Sequence, residues 1–392
     1  MKICAIVCEY NPFHQGHAYQ LQRAKQLSAA DAVVCIMSGN FTQRGDAAIL
    51  PEKTRAKHAV QNGADAVLSL PTVFATSSAE FFARGAIRIL SSIPDFCFLS
   101  FGAEHSNANF YEAAAFLNDE TTYISALKQR MQSGCSFVSA RSEVLKNAPV
   151  SKLLQTPNDV LAIEYARSLL AEKGNNAPSS IRLLPVERKG DYKSNEVSSQ
   201  TYASASAIRN RLSVSNERFN PEEARSFVPQ NVQNDLSSAT DLSAALSTAE
   251  KIALLRTPAE LLKTTLDCTE GLENALKKAA QSANDVVESL TSRRYTASRI
   301  RRICLHNLLG IREKTVRDCL VSPLYLRPVA IKKGREDVLS AFAESHFPCI
   351  VRHADENKLS DAAKRCLDVD KTAAAVYAAL SGNYTEDKRL FF

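Results

Sequence analysis

Short apolar runs alternate with longer segments of helical periodicity along the first hundred residues. In each longer segment the apolar side chains recur every three or four positions, which is typical of amphipathic helices. Strand–helix alternation of this kind predicts an α/β fold built on a parallel sheet with right-handed crossovers. Ligands of such sheets bind beyond the carboxyl ends of the strands. The runs predicted to form strands are ICAIVC (3–8), AVVCIM (32–37), AVLSLP (66–71), CFLSFG (97–102) and IRLLPVE (181–187).

The pattern changes in the second half of the chain. After Pro221 the strand signals almost vanish, and long segments of helical periodicity follow. Two later segments, residues 325–331 and 348–353, are predicted to be strands of a small mixed piece. We therefore predict an N-terminal Rossmann-like domain over residues 1–218 and a mainly α-helical C-terminal domain over residues 219–392.

Composition is that of an ordinary folded protein, with 45% apolar and 23% charged residues in 392. No run of about 18 apolar residues occurs, so we expect no transmembrane helix and no membrane partner. The N-terminus turns polar early and lacks a small-residue cleavage site, so we expect no signal peptide. The ten cysteines include no CxxC pair and mostly lie in apolar runs. This pattern predicts reduced, buried thiols in a cytoplasmic protein, without a metal site.

Basic residues are concentrated in one block of the C-terminal half. The segment from Arg293 to Arg335 holds twelve Lys and Arg residues against two acidic ones, while the whole chain has a net charge of +6. Such a block in a nearly neutral chain favours a polyanionic partner, with nucleic acid first; a solvated helix face is the alternative. The candidate residues are Arg293, Arg294, Arg299, Arg301, Arg302, Lys332 and Lys333.

The densest chemical signal is EYNPFHQGH (9–17), directly after the first predicted strand. His14 and His17 are three residues apart and fall in the first turn of the following helix. A helix N-terminus attracts phosphate, and two imidazoles there suit phosphoryl oxygens whose charge grows during transfer. The alternatives are two helix-capping histidines or a chance metal pair. A strand, a proline turn and a helix in this order favour the phosphate-binding interpretation.

A second polar loop, GNFTQRG (39–45), follows the second predicted strand at the same end of the sheet. Gly39 and Asn40 suit a turn, and Arg44 offers a guanidinium fork for a carboxylate or phosphate. The simpler interpretation is a turn with a surface arginine.

HQGH resembles the HIGH signature of the nucleotidyltransferase superfamily. A wider set of strings resembles the bacterial tRNA(Met) cytidine acetate ligase family, and it extends over both halves of the chain. One loop departs from the family pattern, since RKGDYKS (188–194) lacks the histidine expected there. The strings are AIVCEYNPFHQGH (5–17), MSGNFTQRGDAAI (37–49), NGADAVLSLP (62–71), TSSAEFFARGAI (76–87), LSFGAEH (99–105), TPNDVLAIEY (156–165), YASASAIRNRL (202–212) and RRICLHNLLGI (301–311).

The resemblance implies an activity. Enzymes of this family use ATP and acetate, and by implication Mg²⁺, to form acetyl-adenylate. They then acetylate the wobble cytidine of elongator tRNA(Met) to N4-acetylcytidine. Residues 1–218 would be the nucleotidyltransferase domain and residues 219–392 the tRNA-binding domain. The alternatives are a small-molecule nucleotidyltransferase with the same core, or a non-catalytic RNA-binding protein on this scaffold.

The resemblance also implies site residues. Gly102 would leave room for the nucleotide, Asn158 would bind ribose or adenine, and Arg188 would face phosphate. The loop with Gly39, Asn40 and Arg44 would form the acetate or cytidine pocket, and the basic block above would bind tRNA. The catalytic residues implied are His14, His17 and Arg209. The ATP-binding residues implied are Ile6, Val7, Cys8, Glu9, Tyr10, Asn11, Pro12, Phe13, His14, Gln15, Gly16, His17, Tyr19, Gly102, Asn158, Arg188, Ser204 and Ser206.

Overall fold

A six-stranded sheet lies at the centre of the fold. This computed structural model describes residues 1–134, 137–146, 148–172, 181–188, 202–212, 220–384 and 389–392. Most of the strands are rich in buried apolar side chains, as a sheet covered on both faces requires. The strands are β1 (Ile3–Cys8), β2 (Ala32–Ser38), β3 (Ala66–Leu70), β4 (Phe96–Ala103), β5 (Arg182–Glu187) and β6 (Pro328–Ile331).

The strand order is β5-β4-β1-β2-β3-β6. The first five strands are parallel, and β6 is antiparallel to β3. The chain proceeds in one direction from β1 to β3 and then places β4 on the other side of β1. The crossovers therefore diverge between β1 and β4, which leaves a crevice at the carboxyl ends of these strands. The predicted α/β class with a Rossmann-like parallel sheet is confirmed.

Helices cover both faces of the sheet and make up most of the C-terminal part. Those of the described residues are α1 (Gln15–Ser28), α2 (Glu52–Gln61), α3 (Thr72–Ala75), α4 (Ala79–Ser91), α5 (Phe110–Asn118), α6 (Ser125–Gln132), α7 (Phe137–Leu145), α8 (Pro157–Glu172), α9 (Ala205–Leu212), α10 (Gln230–Leu236), α11 (Ser243–Arg256), α12 (Ala259–Leu262), α13 (Leu272–Ser282), α14 (Val286–Leu290), α15 (Ala297–Leu309), α16 (Glu313–Val321), α17 (Glu336–Ala343) and α18 (Asp361–Ser381).

The two later segments predicted as strands behave differently from the expectation. Residues 328–331 form β6, which pairs with the open edge of β3 instead of a small separate sheet. Residues 348–353 do not form a strand, because Asp355 accepts the backbone N–H groups of Val351 and Arg352 at 3.2 and 3.0 Å. These bonds begin a 3₁₀ turn, and only a single bridge involving Cys349 remains.

Apolar residues from both halves of the chain pack on the same sheet. Alternate residues of β1 face opposite sides, so that Ile3 belongs to one buried cluster and Cys4 to another. Leu367 of α18 joins the first cluster, and Val232 of α10 joins the second. A third buried cluster lies within α11–α15. Part of the predicted boundary near residue 218 falls outside the described residues, so the two-domain division stays a prediction.

Helix α15 is joined to the sheet layer by the buried His306. Its Nε2 lies 2.9 Å from the carbonyl oxygen of Thr76 and 3.0 Å from the hydroxyl oxygen of the same residue. Burial, with a smaller contribution from the positive charge of Arg302, lowers the pKa of His306 to about 3. The ring is therefore neutral in the folded protein, and Nε2–H donates to the carbonyl oxygen.

Acidification from about pH 7 to about pH 5 is expected to lower the free energy of unfolding by about 2 kcal/mol through His306. The unfolded imidazole, with its ordinary pKa of 6.5, gains a proton in this interval, whereas the folded one stays neutral. The stabilisation is thus present above the unfolded pKa and is lost as the pH falls. Urea unfolding at both pH values should show a smaller loss for His306→Gln, and equal losses would contradict the assignment.

Candidate active site

The loop after β1 is fixed by hydrogen bonds to the loop between β2 and α2 (residues 39–51, the β2–α2 loop). Glu9 Oε1 accepts the backbone N–H of Gln43 at 2.6 Å, and Asn11 Oδ1 accepts that of Ile49 at 2.9 Å. Both loops lie at the carboxyl end of the sheet, because they follow adjacent parallel strands. The HQGH segment therefore begins from a fixed position.

Arg55 of α2 reinforces this junction from below. Its guanidinium is fully buried and donates to the carbonyl oxygens of Leu50 (3.0 Å), Ser38 (3.2 Å), Gly39 and Glu9. Burial lowers the pKa of Arg55. Since its donors are directed to backbone carbonyls, Arg55 holds the two loops together instead of facing a ligand.

His14 and His17 are held in one tautomer by the backbone. His14 Nδ1 accepts the N–H of Gly16 at 3.0 Å, and His17 Nδ1 accepts the N–H of His14 at 3.3 Å. The two rings stack with centroids 3.6 Å apart. From this hydrogen-bond pattern we assign the proton of each ring to Nε2. The pair thus caps α1 and also presents two N–H donors.

Both imidazoles are neutral at physiological pH. Burial lowers the pKa of His14 to about 3, with smaller contributions from the charges of Arg188 and Arg209. Burial also holds the pKa of His17 well below its ordinary value, helped by His14 and Arg188. A neutral imidazole that donates from Nε2 can bind a phosphoryl oxygen without first losing or gaining a proton.

Replacing Gly16 with alanine is expected to impair the site at least about tenfold without unfolding the protein. A Cβ at this position would lie 2.8 Å from His14 Cε1 and 3.0 Å from Nδ1, so the ring would have to leave its bond to the backbone. The measurement is kcat/KM of acetate-dependent ATP–pyrophosphate exchange. Gln22→Ala, an exposed change on the same helix, is the control, and wild-type exchange in Gly16→Ala would contradict the geometry.

A cavity of about 750 Å³ opens beside the histidines, above the carboxyl ends of β1 and β4. We call it the main cavity. One part is strongly cationic, and another is an apolar wall. The arginines that line it are Arg44, Arg188, Arg209, Arg301 and Arg302. The apolar wall includes Phe82, Phe101, Val160, Leu161 and Tyr165.

Arg209 reaches the main cavity from α9. Its Nη1 donates to the carbonyl oxygen of Asn11 at 2.6 Å, and its Nη2 donates to Ser206 Oγ at 3.2 Å. Ser204 Oγ instead accepts the N–H of Ala207 at 3.1 Å and caps α9. Arg209 is therefore attached to the histidine loop, Ser206 orients it, and Ser204 begins the helix.

Gly102, Arg188 and Asn158 meet around Glu104 at the end of β4. Arg188 Nε lies 3.9 Å from Glu104 Oε1, and Asn158 Nδ2 donates to the same oxygen at 2.5 Å. A Cβ at Gly102 would lie 3.3 Å from Arg188 Cγ and Nη1. In this structure the missing side chain of Gly102 thus makes room for Arg188.

The β2–α2 loop contributes only part of its predicted pocket residues to the main cavity. Arg44 lines it, together with Gln43. Asn40 Oδ1 instead accepts the N–H of Glu52 at the start of α2, at 2.8 Å, and the carbonyl of Gly39 accepts from Arg55. Gly39 and Asn40 therefore shape the loop.

The basic block is divided between different parts of the molecule. Arg301 and Arg302 of α15 line the main cavity, as do Ala297 and Ser298. Arg293 and Arg294 are exposed just before α15, and Arg294 pairs with Glu270 at 2.9 Å.

The other three candidate residues of the basic block do not line the main cavity. Arg299 donates to the carbonyl oxygen of Asp267 at 2.7 Å. Lys332 and Lys333 follow β6 at the opposite edge of the sheet, where the N–H of Lys332 donates to the carbonyl of Asp65. Asp65 directly precedes β3, so Lys332 lies at the amino end of the parallel strands, whereas the histidines follow the carboxyl end of β1. tRNA binding by the block stays a prediction.

The structure brings most, though not all, of the predicted nucleotide residues to the main cavity. The predicted ATP-binding residues that line it are Val7, Cys8, Glu9, Tyr10, Asn11, His14, His17, Gly102, Asn158 and Arg188, and the predicted catalytic residue Arg209 lines it as well. Those that do not are Ile6, Pro12, Phe13, Gln15, Gly16, Tyr19, Ser204 and Ser206. Ile6 and Phe13, for example, are buried in the core below the cavity.

The sequence patterns do not indicate the apolar wall, nor that α15 lines the main cavity. Tyr165 lies within TPNDVLAIEY and Phe101 within the β4 run, but helix or strand periodicity makes such residues look like core. Gln43 lines the main cavity and lies in the second polar loop, but the sequence analysis names only Gly39, Asn40 and Arg44 of that loop. Arg301 and Arg302 were identified as basic, but charge alone does not show which anion they face.

Among the described residues, no group of three or more His, Cys, Asp or Glu side chains is arranged to hold a metal ion. In the described part of the chain, no helix combines the length and apolar character that crossing a membrane requires.

Known proteins resemble this chain over nearly its whole length. The family described as HIGH Nucleotidyl Transferase matches residues 1–390. The tRNA(Met) cytidine acetate ligase of Acetivibrio thermocellus is 34% identical over 401 aligned positions, covering 96% of this chain and 94% of the relative. That of Thermoanaerobacter sp. is 36% identical over 394 positions, covering 96% and 95%.

A solved structure shares the fold and has been captured with a nucleotide. Thermotoga maritima TmcAL in its apo form superposes with a TM-score of 0.86 at 27% identity, covering 97% of this chain and 95% of that one. The same protein bound with alpha-thio ATP gives a TM-score of 0.85, covering 98% and 96%. With these matches, the chain belongs to the tRNA(Met) cytidine acetate ligase family of HIGH nucleotidyltransferases.

Proposed function

We propose that this protein activates acetate with ATP as acetyl-adenylate and transfers the acetyl group to the wobble cytidine of elongator tRNA(Met). The observation that carries the proposal is the pair of neutral imidazoles beside a cavity of about 750 Å³ lined by five arginines. Such a site suits a triphosphate, and the family relationship supports the choice of acetate and tRNA(Met).

The first step needs no side-chain nucleophile. An acetate oxygen attacks the α-phosphate of ATP, the bond to the β-phosphate bridging oxygen breaks, and pyrophosphate leaves. Catalysis is then positioning and charge stabilisation. His14 and His17 would donate from Nε2 to phosphoryl oxygens, Arg188 and Arg209 would bind the phosphates, and the apolar wall would take the adenine.

Mg²⁺ belongs to this proposal as an ion carried in with the nucleotide. Among the described residues that line the main cavity, Glu9 is the only carboxylate, and burial raises its pKa. This donor set fits an ion held mainly by phosphate oxygens and water, as is usual for Mg²⁺. When bound, the ion would neutralise phosphate charge.

In the second step the exocyclic amine of cytidine attacks the acetyl carbonyl carbon. A C–N bond forms, the bond to the adenylate oxygen breaks, AMP leaves, and the amine releases a proton. The base must leave its anticodon stack to reach the site, as in other enzymes that act on nucleobases. We propose that the exposed Arg293 and Arg294 contact tRNA phosphates. Such a substrate also supports a cytoplasmic location.

The test uses purified protein, ATP, Mg²⁺ and labelled acetate, with and without bulk bacterial tRNA. Nucleoside mass spectrometry of the digested tRNA should find labelled N4-acetylcytidine only when ATP is present. Acetate-dependent AMP formation without acetylcytidine would support the adenylation step but refute cytidine as the acceptor. If neither product forms, the better hypotheses are that the protein is a small-molecule nucleotidyltransferase or a non-catalytic RNA-binding protein.

A further inference from the structure

A second cleft, of about 620 Å³, adjoins the main cavity on the side of the C-terminal helices. We call it the adjoining cleft. It lies between the β2–α2 loop, α11, α14 and the start of α15. Arg209, Ala297 and Arg301 line both spaces. A ligand in the adjoining cleft would therefore lie next to the phosphates in the main cavity.

The β2–α2 loop is the wall between the two spaces. Gln43 and Arg44 line the main cavity, whereas Gly45 and Asp46 line the adjoining cleft. Gly45 has a φ of +87°, and a Cβ there would lie 2.9 Å from the backbone of Arg301. The loop thus packs closely on α15, and Asp46 lies 3.7 Å from Arg301 Nε.

Glu250 of α11 lines this cleft and is an unusual residue to bury. It is 7% exposed, and its Oε1 has no hydrogen-bond partner within the described part of the chain. Burial raises the pKa of Glu250 well above its ordinary value, and the negative charge of Asp46 adds to the effect. A buried carboxyl oxygen without a hydrogen-bond partner costs stability. A ligand that hydrogen-bonds to this group would explain why it is tolerated.

The lining chemistry selects among ligands. Asp46, Asp241, Asp285 and Glu288 also line the cleft, so acetate and phosphate groups are disfavoured there. Carboxylate oxygens accept hydrogen bonds from the exocyclic amine of cytosine. Burial favours the protonated form of this carboxyl group, and a protonated carboxyl group can in addition donate to cytosine N3. The amino edge of cytosine therefore complements Glu250, while uracil presents the opposite order of donor and acceptor.

We propose that the adjoining cleft binds the acceptor cytosine and that Glu250 pairs with its amino edge. This inference rests on the proposed function and names the base-binding part of the same site. Arg301, shared by both spaces, would lie beside the junction where the cytosine amine meets the activated acetyl group.

The experiment compares wild type, Glu250→Leu, Glu250→Gln and, as matched control, the exposed Glu260→Leu on α12. Each full-length protein is assayed for acetate-dependent ATP–pyrophosphate exchange without tRNA and for kcat/KM of tRNA(Met) acetylation. The ratio of acetylation to exchange should fall at least about tenfold in Glu250→Leu. Glu250→Gln, which keeps one donor and one acceptor, should retain most of the ratio, and Glu260→Leu all of it.

A second readout addresses the base itself. The ATP–pyrophosphate exchange of the wild-type protein should be inhibited more strongly by tRNA(Met) that carries its wobble cytidine than by a transcript with uridine at that position. Glu250→Leu should lose this preference. Glu250→Leu should also melt at a higher temperature, because a buried unpartnered carboxyl group is gone.

The inference is wrong if the ratio of acetylation to exchange is unchanged in Glu250→Leu, as it would be if both activities fell equally. It is also wrong if Glu250→Gln and Glu250→Leu lower this ratio equally. Exchange without any acetylcytidine in wild type would instead refute the proposed acceptor, and the inference with it.

Discussion

His17→Ala is expected to lower acetate-dependent ATP–pyrophosphate exchange by about a hundredfold to a thousandfold. The substitution removes one Nε2–H donor from the cationic part of the main cavity. It also removes the ring that stacks on His14 at 3.6 Å, so the second donor loses its support. Since the donors act where charge grows in the transition state, kcat should fall more than the affinity for ATP. Exchange kinetics over a range of ATP concentrations measure both.

The variant His17→Gln tests whether the Nε2–H donor is what His17 contributes. The Gln amide nitrogen extends about as far as imidazole Nε2, so part of the lost exchange should return. His353→Ala, at a histidine that is 89% exposed, is the matched control and should behave as wild type. Circular dichroism should report an intact fold for all three. Wild-type exchange by folded His17→Ala would show that the site has been placed wrongly.

Arg302→Gln is expected to lower kcat/KM of the same exchange reaction by about tenfold to a hundredfold, even though no tRNA is present. The Arg302 side chain is 11% exposed and lies 3.6 Å from Asp267, with its guanidinium lining the main cavity. Burial lowers the pKa of Arg302. We expect such a buried cation to bind the phosphates of ATP in the cavity and to contact tRNA little. tRNA affinity, measured by filter binding, should change little.

Arg293→Gln provides the contrasting variant. This arginine is exposed ahead of α15. Its substitution should leave exchange unchanged, weaken tRNA binding, and reduce the slope of log affinity against log salt by about 1. If Arg302→Gln weakens tRNA binding but not exchange, the original interpretation of the whole block as tRNA-binding would be restored.

Local sequence pattern predicts the secondary structure around the HQGH segment. The strand, the turn and the start of the helix are encoded within seventeen residues, and the sequence predicts both His14 and His17 in the first helical turn. In the structure His17 lies in that turn, whereas His14 is the N-cap residue just before it. Both the capping and the phosphate-binding interpretations could be stated from sequence. Only the three-dimensional structure shows that Nδ1 of each ring accepts a backbone N–H at the start of the helix, which leaves Nε2 to donate.

Contacts between distant segments account for the expectations that changed. Gly102 was assigned to nucleotide clearance, but its neighbour is Arg188, which is 86 residues away in sequence. β6 was predicted in a separate piece, yet it completes the edge of β3. Periodicity identifies a strand but carries no information on which edge it pairs with.

Sequence patterns alone predict the strand–helix alternation, the parallel sheet, the position of the histidine motif and the presence of a basic block. These features depend on spacing within one segment, where side-chain periodicity and helix-terminus chemistry act locally. Tertiary packing is needed to show that Arg301 and Arg302 line the main cavity, and that Lys332 and Lys333 follow the edge strand β6. It is also needed to show that Glu250 is buried in the adjoining cleft. Burial and proximity across hundreds of residues arise from packing, which no single segment encodes.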